Sequence, residues 1–308
     1  MNSSRITFRS EQLGDEDAID LVTCRAFGRM GEAHLVRALR DTYSEFDPRF
    51  SITAWDGDEI VGHTLFTPVR IRLMGETVDA LLTAPVSVLP EKQRQGIGSR
   101  MLQFGHDLGV HEDYAVAFVV GHPEYYTRHG YKACFGFSKI TIDADKLPEP
   151  SQKLGTWPVQ RDDVPWLREC LERELVDVDF GWLWGGALEE WVLSGINSLI
   201  WRTEDGRRAA YTLQAPSGAW QCVLSDDPAL ARDVIATVKP ATLEQHPAGW
   251  LAREVVDPAW GAANVEAHPA AMARELQSGA LDAYTQAVDS GVRPPGACNW
   301  SLPFMFCL

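Results

Sequence analysis

Two short stretches of this chain hold residue types at spacings that could do chemistry. The first is Pro85-Val86-Ser87-Val88-Leu-Pro90 followed closely by Gln93-Arg94-Gln95-Gly96-Ile97-Gly98-Ser99. A strand-like run gives way there to a turn and then to the start of a helix. The first N–H groups of a helix have no partner within it, and such a terminus accepts a pyrophosphate. Glycine at 96 and 98 lets an anion approach the main chain without a Cβ in the way, and Arg94 with Lys92 adds positive charge. Two glycines at a helix start also occur for purely structural reasons, so the surroundings decide between the readings. The second stretch, Gly121-His122-Pro-Glu124-Tyr125-Tyr126-Thr-Arg-His-Gly130-Tyr131, gathers phenols, a carboxylate and imidazoles directly after an apolar run.

The elements that must position these residues are legible as periodic patterns. Residues 5–9 read as a strand, and Asp15-Glu16-Asp17 opens a helix through about residue 27, since carboxylates favour a helix N-terminus. Residues 32–43 repeat a helical spacing. Residues 51–55 and 59–68 flank Asp56-Gly57-Asp58 as a hairpin, because Asp-Gly supplies the positive φ of a tight turn. Residues 80–89 form a further strand, residues 98–108 a helix with Met101, Leu102, Gly105 and Leu108 on one face, and residues 115–120, all apolar, a strand buried on both faces. Strands through residues 135–142 complete the unit. The expected fold class is α+β: one mixed, mostly antiparallel sheet flanked by helices.

At this point the sequence resembles the GNAT superfamily of acetyltransferases. That family's signature is Gln or Arg, two residues, Gly or Ala, one residue, then Gly or Ala, immediately after the fourth strand; Gln93, Gly96 and Gly98 match it. The preceding strand resembles the one whose main chain pairs with the pantetheine arm of acetyl-CoA, and Val86, Ser87 and Val88 are the corresponding positions. The resemblance implies that acetyl-CoA is held by these three residues and by Gln93 to Ser99, comprising Gln93, Arg94, Gln95, Gly96, Ile97, Gly98 and Ser99. It further implies that the Val88 N–H polarises the thioester carbonyl at a splay between two strands. Tyr126, followed by Gly130-Tyr131, matches the tyrosine that protonates the departing thiolate in that family, with Tyr125 and Tyr131 as packing. An attacking amine must lose a proton, and His122, at the exit of the buried strand, is placed ahead of His63 and Glu124 as the group to take it. No cysteine except Cys134 falls near, which argues against a covalent acetyl-cysteine. The function so implied is transfer of an acetyl group to a primary amine of a small molecule in a ternary complex. The alternative from another class is a module that binds an acyl-CoA or metabolite without turning it over.

Leu147-Pro-Glu-Pro-Ser-Gln-Lys has linker composition, so two domains are expected, 1–148 and 155–308. Beyond the linker the order of elements returns faintly. Residues 157–160 read as a strand, 162–175 as a helix, 186–193 as a second helix, 198–203 and 207–214 as a hairpin, 219–224 as a strand and 227–238 as a helix. This second half is read as a diverged GNAT-like repeat without a CoA loop, since Asp226 and Asp227 stand where the phosphate loop would recur. The tandem arrangement resembles the enhanced-intracellular-survival aminoglycoside acetyltransferases, which makes aminoglycosides a guess for the acceptor. Trp182, Trp184, Trp191 and Trp201 are read as core. The alternating Trp300, Leu302, Phe304, Phe306 and Leu308 are expected to dock as an extended arm, and in a bolder version the terminal carboxylate accepts the amine's proton.

Composition bounds the partners. The chain has 308 residues and a formal net charge of −15, which argues against nucleic acid and suits a cationic or neutral small molecule. No apolar run reaches bilayer length, no signal peptide opens the chain, and the six cysteines show no metal-ligand spacing. A cytoplasmic protein without metal or membrane partner is therefore expected, with homo-oligomerisation left open.

Overall fold

The computed structural model describes residues 6–192, 197–215 and 217–298. The first half runs β1 (Thr7–Ser10), α1 (Glu16–Phe27), α2 (Gly31–Thr42), β2 (Ser51–Asp56), β3 (Glu59–Leu73), β4 (Glu76–Val88), α3 (Ile97–His111), β5 (Val116–Val120), α4 (Pro123–Tyr126), β6 (Lys132–Ala133) and β7 (Phe135–Ile142). The second half continues with β8 (Gly155–Pro158), α5 (Val164–Leu175), β9 (Trp182–Leu183), β10 (Asn197–Arg202), β11 (Arg208–Gln214), β12 (Trp220–Leu224), α6 (Pro228–Val238), β13 (Thr242–Leu243), α7 (Trp250–Glu254), β14 (Gly261–Ala267), β15 (Ala271–Glu275), α8 (Asp282–Asp289) and β16 (Gly296–Ala297). The hairpin at Gly57, the two opening helices, the helix after Gly96 and the buried strand all form where the sequence places them.

The principal sheet has the order β1-β2-β3-β4-β5-β15-β6, with β9 paired to β3. Every pairing in it is antiparallel except β4 with β5. Helix α3 buries Ile97, Met101 and Leu102 against this sheet, while α1 buries Ile19 and Val22. Removing such side chains from water stabilises by roughly 1.5–3 kcal/mol each. That burial presses both helices onto the strands that carry the two motifs.

Two strands change places between the halves. β7, expected to finish the first sheet, instead pairs with β13, β14 and β16 of the second half. Its place beside β5 is taken by β15, whose Ala271, Met272 and Ala273 face Val120, Val119 and Phe118. β5 is buried along its length and cannot leave a row of N–H and C=O groups unpaired, so a second partner is obligatory. That partner comes from some 150 residues further along the chain. The division at 148/155 therefore does not coincide with a division between sheets.

Other expectations also differ from the structure. Residues 186–193 form only a single 3₁₀ turn at Leu188–Glu190 among the described residues. The Glu190 carboxylate turns inward to accept from Gly185 N–H and from the Ser44 hydroxyl at 2.5 Å, and this fixes a loop rather than a helix. The four tryptophans are core, each 7 % exposed or less. The apolar tail from Trp300 to Leu308 lies outside the described residues. No helix among those described is long and apolar enough to cross a membrane.

A fragment ending at residue 148 would lack β15 and leave the β5 edge open. We expect it to aggregate or to melt without a cooperative transition, whereas the whole chain melts cooperatively. Circular dichroism against temperature on both proteins checks this, and a sharp transition in the fragment would contradict the obligatory exchange.

Candidate active site

β4 and β5 begin side by side, with Ala80, Leu81 and Leu82 facing Val116, Ala117 and Phe118, and pair no further. On its other edge β4 stays with β3, but Thr83 lies opposite Phe66 and Val86 opposite Thr64. Ala84 and Pro85 thus oppose the single residue Leu65, a bulge that bends the strand away from β5. Beyond the bulge, Leu89 N–H donates to Val61 C=O at 3.0 Å. Main-chain groups alternate sides along a strand, so Ser87 also faces β3, while Val86 and Val88 turn theirs toward the open side. The Val88 carbonyl accepts from the Gln93 side chain at 3.1 Å.

Helix α3 opens into the same space. Its first turn has no side-chain cap, and Gly96 precedes it with φ of 78°. Arg94, two residues earlier, is also left-handed at 61°, so the loop coils with its N–H groups gathered at the helix start. A cavity of about 550 Å3 is lined by Val86, Val88, Arg94, the Gly96–Ser99 turn and Arg128, among others. Lys92, also on its wall, is held by Asp56 at 2.5 Å. Arg94 and Arg128 make this rim positive although the chain as a whole is acidic.

A second cavity of about 350 Å3 lies on the other side of the splay and shares Val86, Val88, Gln93, His122 and Tyr126 with the first. Tyr126 is 8 % exposed and stands in this common wall. Its ring lies over Gly121, where a Cβ would come within 2.3 Å of it, so only glycine lets the ring seat against the end of β5. Burial raises the Tyr126 phenol well above its ordinary range, and the neighbouring Tyr131 and Tyr125 add to the rise. The phenol is protonated at every physiological pH.

Behind Tyr126 runs a buried polar chain. Arg274 of β15 donates to His106 Nδ1 at 3.1 Å and to His129 C=O at 2.7 Å. A guanidinium only donates, so the His106 proton resides on Nε2 and points to the Tyr131 hydroxyl at 2.8 Å, which in turn donates to Thr83 at 3.0 Å. Burial, with Arg274 nearby, takes His106 down to about 3 and keeps the ring neutral. The chain orients Tyr131 and braces the bulge.

The residues expected from sequence divide as follows. Val86, Val88, Gln93, Arg94, Gly96, Ile97, Gly98, Ser99, His122 and Tyr126 converge on the first cavity. Ser87 does not, since its side chain points to the opposite face, toward Thr23. Gln95 folds back onto Glu91 C=O at 3.3 Å. His63 is buried beside Ser51, lowered to about 3, and lines neither cavity. Cys134 is likewise outside both, its thiol pushed up to about 12 by burial. Arg128 and Glu32, which line the two cavities, were missed by sequence; Arg128 was within reach, lying two residues past Tyr126.

The matching place in the second half is filled by its own side chains. There the Gln245 amide accepts from Val223 N–H at 2.9 Å and donates to Val223 C=O at 3.1 Å, occupying the strand edge. Asp227 caps α6, accepting from Ala229 and Leu230 N–H at 2.9 and 3.1 Å. Another cavity, of about 440 Å3, lies beside β7 and β14 and carries neither motif.

Glu174 lies in the packing beside Gln245, fully enclosed, and accepts from Leu251 N–H at 2.8 Å. Burial raises its carboxyl from 4.5 to about 7, the Leu251 N–H opposing. The folded state therefore holds this proton more tightly than the unfolded chain. The resulting stability is present below pH 4.5 and is lost as pH rises through about 7. Glu174→Gln, which keeps the acceptor without the charge, should be more stable than the native protein at pH 8 by on the order of 3 kcal/mol, the difference vanishing near pH 4. Urea midpoints of both proteins across this range measure it, and parallel pH profiles would contradict the assignment.

Comparison with known proteins agrees with this geometry. The family model described as an acetyltransferase (GNAT) domain matches residues 7–134, ending where the chain leaves the first sheet for β7. The uncharacterized N-acetyltransferase YjhQ of Escherichia coli K12 is 36% identical over 162 residues, covering 52% of this chain and 86% of that protein. A GCN5-related N-acetyltransferase from Kribbella flavida superposes with a TM-score of 0.66 at 18% identity, over 90% of this chain and 72% of that one. Eis1 from Mycobacterium abscessus does so with 0.61 at 14% identity, over 89% and 74%. The last two share the fold over most of the chain. With a relative of this identity matched over most of its length, the chain belongs to the GNAT superfamily of N-acetyltransferases.

Proposed function

We propose that this protein moves the acetyl group of acetyl-CoA onto a primary amine of a small molecule by direct attack, with Tyr126 as general acid. The observation that carries the reading is the common wall: Val86, Val88, His122 and Tyr126 border both the cavity at the helix start and the cavity across the splay. A pyrophosphate on the α3 N-terminus, between Arg94 and Arg128, would lead a pantetheine arm along the open edge of Val86 and Val88. The thioester then reaches the splay from one side and the amine from the other.

The amine nitrogen attacks the carbonyl carbon, and the oxygen takes up negative charge against the Val88 N–H. As the C–S bond breaks, the Tyr126 hydroxyl donates its proton to the sulfur. A thiol ordinarily titrates below a phenol, yet the same burial that raises Tyr126 also disfavours a free thiolate, so the transfer is driven by the bond that breaks. His122, exposed at the mouth of the common wall, takes the amine's proton, directly or through water. The second half supplies β15 and its Arg274 rather than a second reaction centre.

Two outcomes follow. Tyr126→Phe lowers kcat by on the order of 10²–10⁴ with acetyl-CoA affinity nearly intact, whereas Tyr125→Phe, whose hydroxyl lies by Ser99 in the first cavity, changes acetyl-CoA affinity more than kcat. Steady-state thiol release on an amine panel measures both, and equal loss of kcat at the two positions would remove Tyr126 from its role. Calorimetric titration should give one CoA per chain, and Gly96→Val should weaken binding roughly tenfold to a hundredfold, since a β-branched residue cannot adopt the left-handed turn without strain of about 1–3 kcal/mol. Two CoA per chain, or native affinity in the variant, would overturn the loop assignment.

A further inference from the structure

The second cavity is apolar on most of its wall, with Ala26, Phe27, Leu35, Pro85 and Val119 among its residues, and among the described residues it contains one carboxylate, Glu32. Glu32 stands in the first turn of α2 and is 4 % exposed. Its Oε1 takes Arg29 at 2.5 Å from the outer side. Its Oε2 is buried and has no hydrogen-bond partner among the described residues. A helix N-terminus favours an acid in this turn, but an exposed one would serve equally, and burying an unsatisfied carboxylate oxygen is costly. Glu32 itself borders the cavity, so a group that satisfies this oxygen enters from that side.

We propose that Glu32 binds a positively charged group of the acceptor, and that the acceptor is a small amine carrying a second cation. The inference rests on the acetyl-transfer reading of the site. Glu32 belongs to the second cavity alone, together with Ala26, Phe27 and Leu35, whereas the reacting end is the wall shared with the first cavity. Glu32 is therefore at the far end from the thioester and holds a second charge, not the attacking nitrogen. A cation in an apolar cavity is costly without a counter-ion, and a buried carboxylate is costly without a donor; each removes the other's penalty. A neutral-tailed amine of the same length would leave the oxygen unpaired, which is where the discrimination arises.

The test uses the whole chain and three amines of similar length: putrescine, aminobutanol and butylamine. At saturating acetyl-CoA, putrescine should give kcat/KM roughly tenfold to a hundredfold above the other two. Glu32→Gln should raise KM for putrescine by a similar factor, move the neutral-tailed amines far less, and leave acetyl-CoA affinity as it was. A native enzyme without preference for putrescine, or a variant that slows all three amines alike, overturns the proposal. Should Glu32→Gln lose its cooperative melt, the native ranking of the three amines decides alone. Should no amine be acetylated, the acetyl-transfer reading fails separately, and calorimetric binding of the same amines to the CoA-loaded native and Glu32→Gln proteins still decides the role of Glu32. Tighter putrescine binding that the variant loses supports it, and equal or absent binding refutes it.

Discussion

Everything distinctive about this molecule depends on the early end of one strand pairing. β4 and β5 are parallel neighbours only as far as Leu82 and Phe118. The bulge at Ala84 and Pro85 opposite Leu65 turns β4 aside, and the main chain of Val86 and Val88 is left facing a gap. An open strand edge inside a protein is unfavourable unless something supplies hydrogen bonds. The helix that follows directs its uncapped N-terminus into the same space. The second half meets the same problem by other means, with the Gln245 amide standing in for the missing strand and Asp227 capping the helix.

The exchange of β7 and β15 ties that gap to the rest of the chain. β5 borrows its second edge from β15, and β15 also brings Arg274 to His106 and to the loop after Tyr126. Through Tyr131 and Thr83 the contact reaches the bulge itself. The second half thus contributes, through β15, to the packing behind the first-half site. β9 adds a second tie, pairing Trp182 and Leu183 with Ile71 and Arg70 of β3.

Burial sets the protonation states here. The phenol of Tyr126 is held neutral by desolvation, His106 by desolvation beside a guanidinium, and His63 by enclosure. In an acidic protein the first cavity carries Arg94 and Arg128 on its rim, whereas Glu32 lines the second cavity. The two cavities therefore differ in the charges on their walls, and Tyr126 is common to both.

The sequence by itself determined most local elements of the first half and the first-cavity motif. Asp56-Gly57-Asp58 reads as a tight turn, the all-apolar 115–120 as a doubly buried strand, and Gln93 to Gly98 as the link between a strand and a helix. Each of these signals is carried by neighbours in the chain, through periodicity or turn chemistry. What the tertiary structure alone decided is which segments meet. The residues of β7 suit either sheet, and nothing in Ala271–Glu275 names β5 as its partner, because a strand's own pattern specifies its faces and not its neighbour. The same holds for Glu32, an ordinary first-turn acid in sequence, which becomes a buried carboxylate only because α2 folds over the cavity beside the splay. Ser87 and Gln95 show the converse: they sit inside the motif, yet the alternation of the strand and the coil of the loop turn their side chains away. Proximity along the chain ranked them with their neighbours, and direction in space separated them.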